Sequence, residues 1–376
     1  MRRSPRWVPR VMAVVVMTSA CASDADTTSE PARTTSRAVQ SVTSSASSTT
    51  TSATTTTIPV AEGESSSAVP TDPSASALTP RSATPNATIT VAHPINSLVI
   101  ASDAVWIGSA TGISRIDPVT NSVGSEIAVT NAAGYFAFGF GSAWVSDYDA
   151  SIVRRVAVST GEVLAEIAVG RNPEGIALTD DAVWVANHRG GSLSRLDPST
   201  NTVVATLDVG PTGPGGPQHL VEADGMLWVT VPNKQMVLRI DTASNTIDAE
   251  VVTTGAPCGE MALVNGRVWV AGCERSMYVI DATTAEEIDV LELVGQSGTA
   301  FSFGHRVWIP QAGMGSADPG RLLAIGPSFE FEDAIAVDAD AYSVAPGFDS
   351  VWIAHANDGT VMRFAADAFD VSDEAS

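Results

Sequence analysis

From about residue 88 onward, short apolar runs alternate with clusters of Gly, Pro, Asp, Asn, Ser and Thr. The stretch from Ile167 to Gly210 shows one unit in full. Apolar runs at 175–178, 182–186, 192–196 and 203–209 predict four short strands, each bounded by turn residues. Asp180-Asp181 and Asp197-Pro198-Ser199-Thr200-Asn201 predict tight turns, because Asp and Asn side chains bond their own backbone and Pro presets φ. Strands that alternate in direction place both turns on one rim. The loops 170–174 and 187–191 then fall together on the opposite rim, where the sequence varies most between units.

A tryptophan stands at the same point of every unit: Trp106, Trp144, Trp184, Trp228, Trp269, Trp308 and Trp352, spaced by 38, 40, 44, 41, 39 and 44 residues. Four short strands recurring at about 40 residues are the mark of a propeller blade. The expectation is an all-β, seven-bladed β-propeller of four-stranded antiparallel blades over residues 86–376. Each tryptophan lies in an apolar run such as Ala-Val-Trp-Val, so its ring is expected to fill the wedge between blades and not to stack a sugar. The last unit stops near Val371, one strand short, while Ala87-Thr88-Ile89-Thr90-Val91 stands ahead of the first unit as Ile167-Ala168-Val169 stands ahead of the third. The N-terminal segment is therefore expected to supply the last blade's fourth strand and close the ring, removing the open edge. The expected assembly state is a monomer.

Ahead of the repeats the chain changes character. Arg2, Arg3, Arg6 and Arg10 precede an apolar run, Val11 to Met17, and then Thr18-Ser19-Ala20-Cys21. A charged start and a short apolar run predict a secretory signal over residues 1–20, too short to span a membrane. Ser19-Ala20-Cys21 resembles the lipobox of bacterial lipoproteins, although Thr18 departs from the usual leucine. The resemblance implies that Cys21 is acylated and anchors the protein to the outer face of the cytoplasmic membrane or the cell surface. Residues 22–85 hold 30 Ser or Thr, six Pro and no aromatic, a composition that cannot build a core. Residues 21–85 are expected to form a disordered tether with a reach of about 45 Å.

The net charge of −22 argues against a nucleic-acid partner, because an acidic surface repels phosphate. Membrane association is expected through the lipid alone. Besides Cys21, the only cysteines are Cys258, before the fifth unit's first strand, and Cys273, after its second. Both fall on one rim of adjacent antiparallel strands, and a disulfide there suits an oxidising compartment.

The third unit, with Val-Trp-Val-Ala-Asn, Arg195-Leu196-Asp197-Pro198-Ser199-Thr200-Asn201, Leu207-Asp208-Val209-Gly210 and Pro173-Glu174-Gly175-Ile176-Ala177, resembles the YVTN family of propeller repeats. Related runs at 115–121, 239–245 and 279–284 extend the resemblance over about residues 88–371. The sixth unit departs from it, with a longer Gly-rich loop at 310–321 and Gly326-Pro327 in place of the usual turn. That loop is the expected partner contact.

Candidate chemistry gathers on the variable rim. His93, His188, His219 and His355 align there, and His305 falls on the opposite one. Nine residues before each tryptophan stand Ser97, Tyr135, Gly175, His219, Glu260, Thr299 and Ser343, a predicted ring at the mouth of the central channel. The ligand-binding candidates are Tyr135, His188, His219, Glu260 and His355. Asp147 and Asp149 place two carboxylates in one rim loop that could hold calcium, or could simply be solvated. Arg115, Arg155, Arg195, Arg239 and Arg363 recur on third strands and are expected to pair with nearby acids across the sheet.

Gly216-Pro217-Gln218-His219 also resembles a segment of the virginiamycin-type streptogramin lyases, seven-bladed propellers that use histidine, glutamate and magnesium. That resemblance implies a catalytic role for His219, with Glu260 beside it. The family's Trp-Phe-Thr-Glu, however, reads Trp184-Val185-Ala186-Asn187, Trp228-Val229-Thr230-Val231 and Trp269-Val270-Ala271-Gly272 here, without the glutamate. No serine-hydrolase elbow, His-Glu-x-x-His or phosphate loop occurs. The expectation is a non-catalytic propeller, free of cofactor, that presents its rim to a protein, glycan or small-molecule ligand of the cell envelope. The alternative is a magnesium-dependent lyase.

Overall fold

The computed structural model describes residues 15–17, 75–91, 94–101, 103–129, 135–304, 306–312, 320–338, 341–356 and 358–369. It is an all-β ring of seven blades with almost no helix. Blade three runs Pro173–Leu178, Val183–Asn187, Ser192–Asp197 and Thr202–Asp208, in sheet order and all antiparallel. These bounds lie within two residues of those expected. The second strands begin at Ala104, Ser142, Val183, Met226, Arg267, Arg306 and Ser350, in blades one to seven.

The burial of the strands follows from their place in the ring. The second strand of blade three is buried at every residue, because neighbouring blades cover both its faces. The outermost strand, Thr202–Asp208, alternates between exposed and partly buried residues, with one face in water. The apolar core divides into seven clusters, each shared by two consecutive blades. Each blade tryptophan sits in the cluster facing the next blade, and all seven are at most 4% exposed. Four donate Nε1 to the carbonyl five residues upstream: Trp144 to Gly139, Trp269 to Val264, Trp308 to Phe303 and Trp352 to Gly347. The rings are core, as the periodicity indicates.

Ring closure is as expected. Ala87–Thr90 pairs antiparallel with Thr360–Ala365, placing Ala87 opposite Arg363 and Thr90 opposite Thr360, and completes blade seven. Its isoleucine Ile89 enters the cluster shared by blades seven and one.

The packed part of the chain begins earlier than residue 86. Ala75 is 1% exposed within the core of blades five and six, Leu78 packs against that core, and Arg81–Ser82 adds a parallel fifth strand to the outer edge of blade six. Arg81 also donates to Asp333 at 2.8 Å. Ala75, Leu78 and Arg81–Ser82 thus pack on blades five and six, although they stand in a Ser/Thr-rich segment. Val15–Met17 pairs antiparallel with the first blade's inner strand, Val15 opposite Val99 and Met17 opposite Ser97. The rest of the expected signal, Cys21 and the tether to residue 74 lie outside the described residues. So do His93, His305 and 313–319. The blade-six strands run through Gln311 and resume at Gly320, so the long loop is shorter than the expected 310–321.

The recurring arginines have a role that differs from simple cross-strand pairing. Arg155, Arg195, Arg239 and Arg363 each lie over their own blade's tryptophan, 4.9 to 5.8 Å from the ring centroid. Arg195 pairs with Asp181 and Arg115 with Asp103, as expected. Arg155, by contrast, reaches into blade three, donating to the carbonyl of Pro198 and to Asn201 Oδ1. Arg363 makes the same two bonds across the ring closure, to Pro118 and Asn121 of blade one. Arg239 does both, bonding Asp248 in its own sheet and the carbonyls of Ala282 and Thr283 in blade five.

Candidate functional site at the channel mouth

The residues nine positions before each tryptophan lie within two residues of the start of an inner strand, so the ring geometry brings all seven to one mouth of the channel. Every one is buried: Ser97, Tyr135, Gly175, His219, Glu260, Thr299 and Ser343. Neighbouring members are held by short bonds between blades. Ser343 Oγ accepts from Leu98 N at 3.0 Å, and Gly175 N donates to the Gln218 carbonyl at 3.0 Å. Glycine is required at 175, because a Cβ there would collide with that same carbonyl.

Tyr135, His219 and Glu260 line one small cavity together with Gly175, Ile176, Leu220 and Met261. Its volume is about 10 Å³, room for a single water-sized group. The Tyr135 and His219 rings meet edge to face, 5.8 Å between centroids. His219 is 4% exposed, its backbone N–H is capped by Thr230 Oγ1 at 3.0 Å, and its ring is hydrogen-bonded to the backbone of Cys258. Its Nε2 has no partner. Burial pushes the His219 pKa down to about 4, against the pull of the Cys258 bond, and His188 adds to the depression. At neutral pH the imidazole is therefore uncharged and offers Nε2 as an acceptor.

Cys258 and Cys273, the expected disulfide pair, stand side by side, with Cα atoms 5.3 Å apart.

Beside this cavity lies a group that the sequence reading did not single out. Glu174 has 13% of its side chain exposed, and burial pushes its pKa up to about 8, with Arg189 opposing weakly. His188 Nδ1 stands 3.5 Å from Glu174 Oε2, and His188 Nε2 accepts from Gly215 N at 3.3 Å. Tyr148 packs 6.4 Å from the His188 ring. The signal for Glu174 was faint: a lone carboxyl directly before the apolar strand Gly175-Ile176-Ala177-Leu178. Only the fold reveals that His188 and Arg189 cover it.

The remaining candidates lie elsewhere. His355 closes the second strand of blade seven, buried, with Nδ1 3.3 Å from Asp338, and it does not line the cavity. Asp147 is not a solvated loop acid. It is 1% exposed, Arg154 donates to it at 2.6 Å, and its other oxygen caps Ala150 N at 3.0 Å. Asp147 thus faces the partly buried Arg154, whereas Asp149 is exposed. Among the described residues, no three His, Cys, Asp or Glu side chains converge to hold a metal ion. The residues present at the mouth therefore do not fit the magnesium that the lyase resemblance implies.

No protein-family model and no curated protein matches the chain. Solved structures do. A streptogramin B lyase is similar over 74% of this chain and 96% of its own, with a TM-score of 0.60 and 17% identity. The selenomethionine-substituted virginiamycin B lyase from Staphylococcus aureus is similar over 74% and 98%, with a TM-score of 0.61 and 15% identity. A chain of a mitotic checkpoint complex is similar over 75% and 94%, with a TM-score of 0.62 and 15% identity. At such identities the likeness establishes one fact, the seven-bladed propeller fold.

Proposed function

We propose that this chain is an exported, lipid-anchored binding propeller, which holds a ligand of the cell envelope at the channel mouth without transforming it. The lipobox-like Ser19-Ala20-Cys21 supports the anchor, and the closeness of Cys258 to Cys273 suits a disulfide in an oxidising compartment. The YVTN-like repeats supply the scaffold. The observation that carries the binding role is the buried ring of unlike residues at one mouth, with His219 Nε2 unpartnered. A buried acceptor without a bond costs about 1–3 kcal/mol, and such a group calls for a ligand or water to complete it.

The test is capture of envelope ligand by the full chain, comparing wild type with Tyr135→Leu at the mouth and Asp117→Asn on the opposite rim. Loss with the first variant and retention with the second is expected. Retention with both removes the mouth from the account.

A second reading, a lyase, is favoured by one pair of groups. Glu174, held protonated, and His219, held neutral, stand on the same rim with pKa values driven in opposite directions, as acid and base partners require. This reading predicts cleavage of a streptogramin B substrate that is abolished by His219→Ala. The absence of cleavage by the wild-type protein, with magnesium supplied, removes it.

A further inference from the structure

A cavity of about 120 Å³ lies in blade one and shares no lining residue with the one at the channel mouth. Val91 and Ile95, from the segment that follows the closing strand, line it together with Ile107 and Ser114 of the second and third strands. Its origin is a change in side-chain length. The third-strand residue that pairs with the position after the blade tryptophan is Arg154, Leu238, Tyr278, Leu323 or Met362 in blades two, four, five, six and seven, always a long side chain. In blade three it is Ser194, whose hydroxyl bonds Asn187 Nδ2 at 3.0 Å. In blade one it is Ser114, opposite Ile107, and Ser109 stands where blade three has Asn187. The Ser109 hydroxyl turns to its own loop, bonding Thr111, Gly112 and Glu126. Ser114 is only 9% exposed, and among the described residues nothing bonds its hydroxyl. The outermost strand recedes as well, to Ile127–Ala128 where blade three has Thr202–Asp208. Val123, Gly124 and Glu126, just before it, border the cavity and are exposed, which opens it to solvent.

Each feature limits the occupant. An apolar cavity of about 150 Å³ takes up benzene, so this one suits a group of about six carbons. Val91, Ile95, Ile107 and Val123 favour hydrocarbon over water. Ser114 adds one hydroxyl, able to donate or accept. Glu126 accepts from the Thr111 hydroxyl at 3.1 Å and is exposed, so it opposes an anion, while water screens its attraction for a cation. Any charged group would also lose hydration against the aliphatic walls. We infer that this cavity binds a compact, uncharged molecule of about six carbons bearing a single hydroxyl, seated with its oxygen on Ser114 Oγ.

The test is calorimetric titration of the full chain with cyclohexanol, cyclohexylammonium, cyclohexanecarboxylate and 2-naphthol. Saturable binding of cyclohexanol is expected, with the charged probes and the larger naphthol weaker by about tenfold or more. Ser114→Leu copies blades four and six; it should fill the cavity and abolish binding while the thermal midpoint stays the same or rises. Ser114→Ala keeps the cavity but removes the hydroxyl, and should weaken binding about threefold to tenfold. Tyr135→Leu, at the channel mouth, should leave cyclohexanol binding unchanged. The inference is overturned by no saturable binding of cyclohexanol, by binding that survives Ser114→Leu or is lost in Tyr135→Leu, or by charged or larger probes binding as well. If Ser114→Leu does not fold, undiminished affinity in Ser114→Ala overturns it instead. Failure here leaves the binding role of the mouth standing, because the two cavities have no residue in common.

Discussion

The two rims of this ring are built on opposite principles. On the turn rim the same chemistry recurs: Asp117, Asp197, Asp241 and Asp281 each accept backbone N–H bonds within their own turn, and these bonds, preceded at Asp197 by the Ser199 hydroxyl, hold the carboxyls below the usual range. Arg155, Arg239 and Arg363 fasten three of these turns, those of Asp197, Asp281 and Asp117, to the preceding blade. On the mouth rim only serine recurs, at Ser97 and Ser343. Seven equivalent positions carry Ser, Tyr, Gly, His, Glu, Thr and Ser, and Gln218, His219, Thr299 and Gln311 leave buried polar atoms unbonded. Repetition serves the nearest-neighbour packing on which a repeat fold depends. The unrepeated, incompletely bonded rim is where specific recognition can reside.

The sharpest way to break this comparison is to remove a repeated element. Trp308→Ala, deep between blades six and seven, is expected to lower unfolding free energy by about 3–5 kcal/mol in guanidinium titration. Tyr135→Leu at the mouth should cost far less, and similar losses for both would erase the distinction.

Next in size is a pH effect confined to the mouth rim. Glu174 binds its proton more tightly when folded, since its pKa is raised from 4.5 to about 8. Its stabilisation is therefore fully present below pH 4.5 and is lost as pH rises through 8. Glu174→Gln should remove that decline and be the more stable protein at pH 8, on the order of 3 kcal/mol relative to wild type. His219 acts in the opposite sense. Its pKa falls from 6.5 to about 4, so its stability contribution is intact above pH 6.5 and declines as pH drops toward 4. A wild-type profile that stays flat from pH 4 to 8 contradicts both burials.

Smaller effects sharpen the account of the turn rim. Arg363→Met removes the guanidinium from over Trp352 together with its bonds to Pro118 and Asn121 that fasten blade seven to blade one. A loss of about 1–2 kcal/mol is expected by denaturant titration. Ala285 has φ of +56°, where the equivalent turns place Asn121, Asn201 and Asn245. Ala285→Gly should raise stability by about 1 kcal/mol, measured the same way.

The ring was legible because the features that build it are local and periodic. A tryptophan in an apolar strand and an Asp-x-x-x-Asn turn each declare themselves within a few residues, and the strand missing after Val371 pointed to Ala87–Thr90. The contacts that cross blades were hidden. Arg155 reaches Asn201 from 46 residues away, while Arg195, at the same blade position, stays at home with Asp181. Neither choice can be read without the fold. The mouth was half legible: spacing placed Tyr135, His219 and Glu260 on one ring, but desolvation of Glu174 and the bond from Cys258 to His219 depend on how loops of different blades close over one another. Asp147 looked like a solvated ligand because Arg154 points at it only once the hairpin has formed.

The claim that the mouth is a binding site is tested most directly by a high-resolution crystal structure of the protein purified from the cells that make it. The account predicts density for a bound group within hydrogen-bond distance of His219 Nε2, between Tyr135 and Glu260. A structure in which a side chain of the protein itself bonds Nε2 and fills the cavity would contradict it.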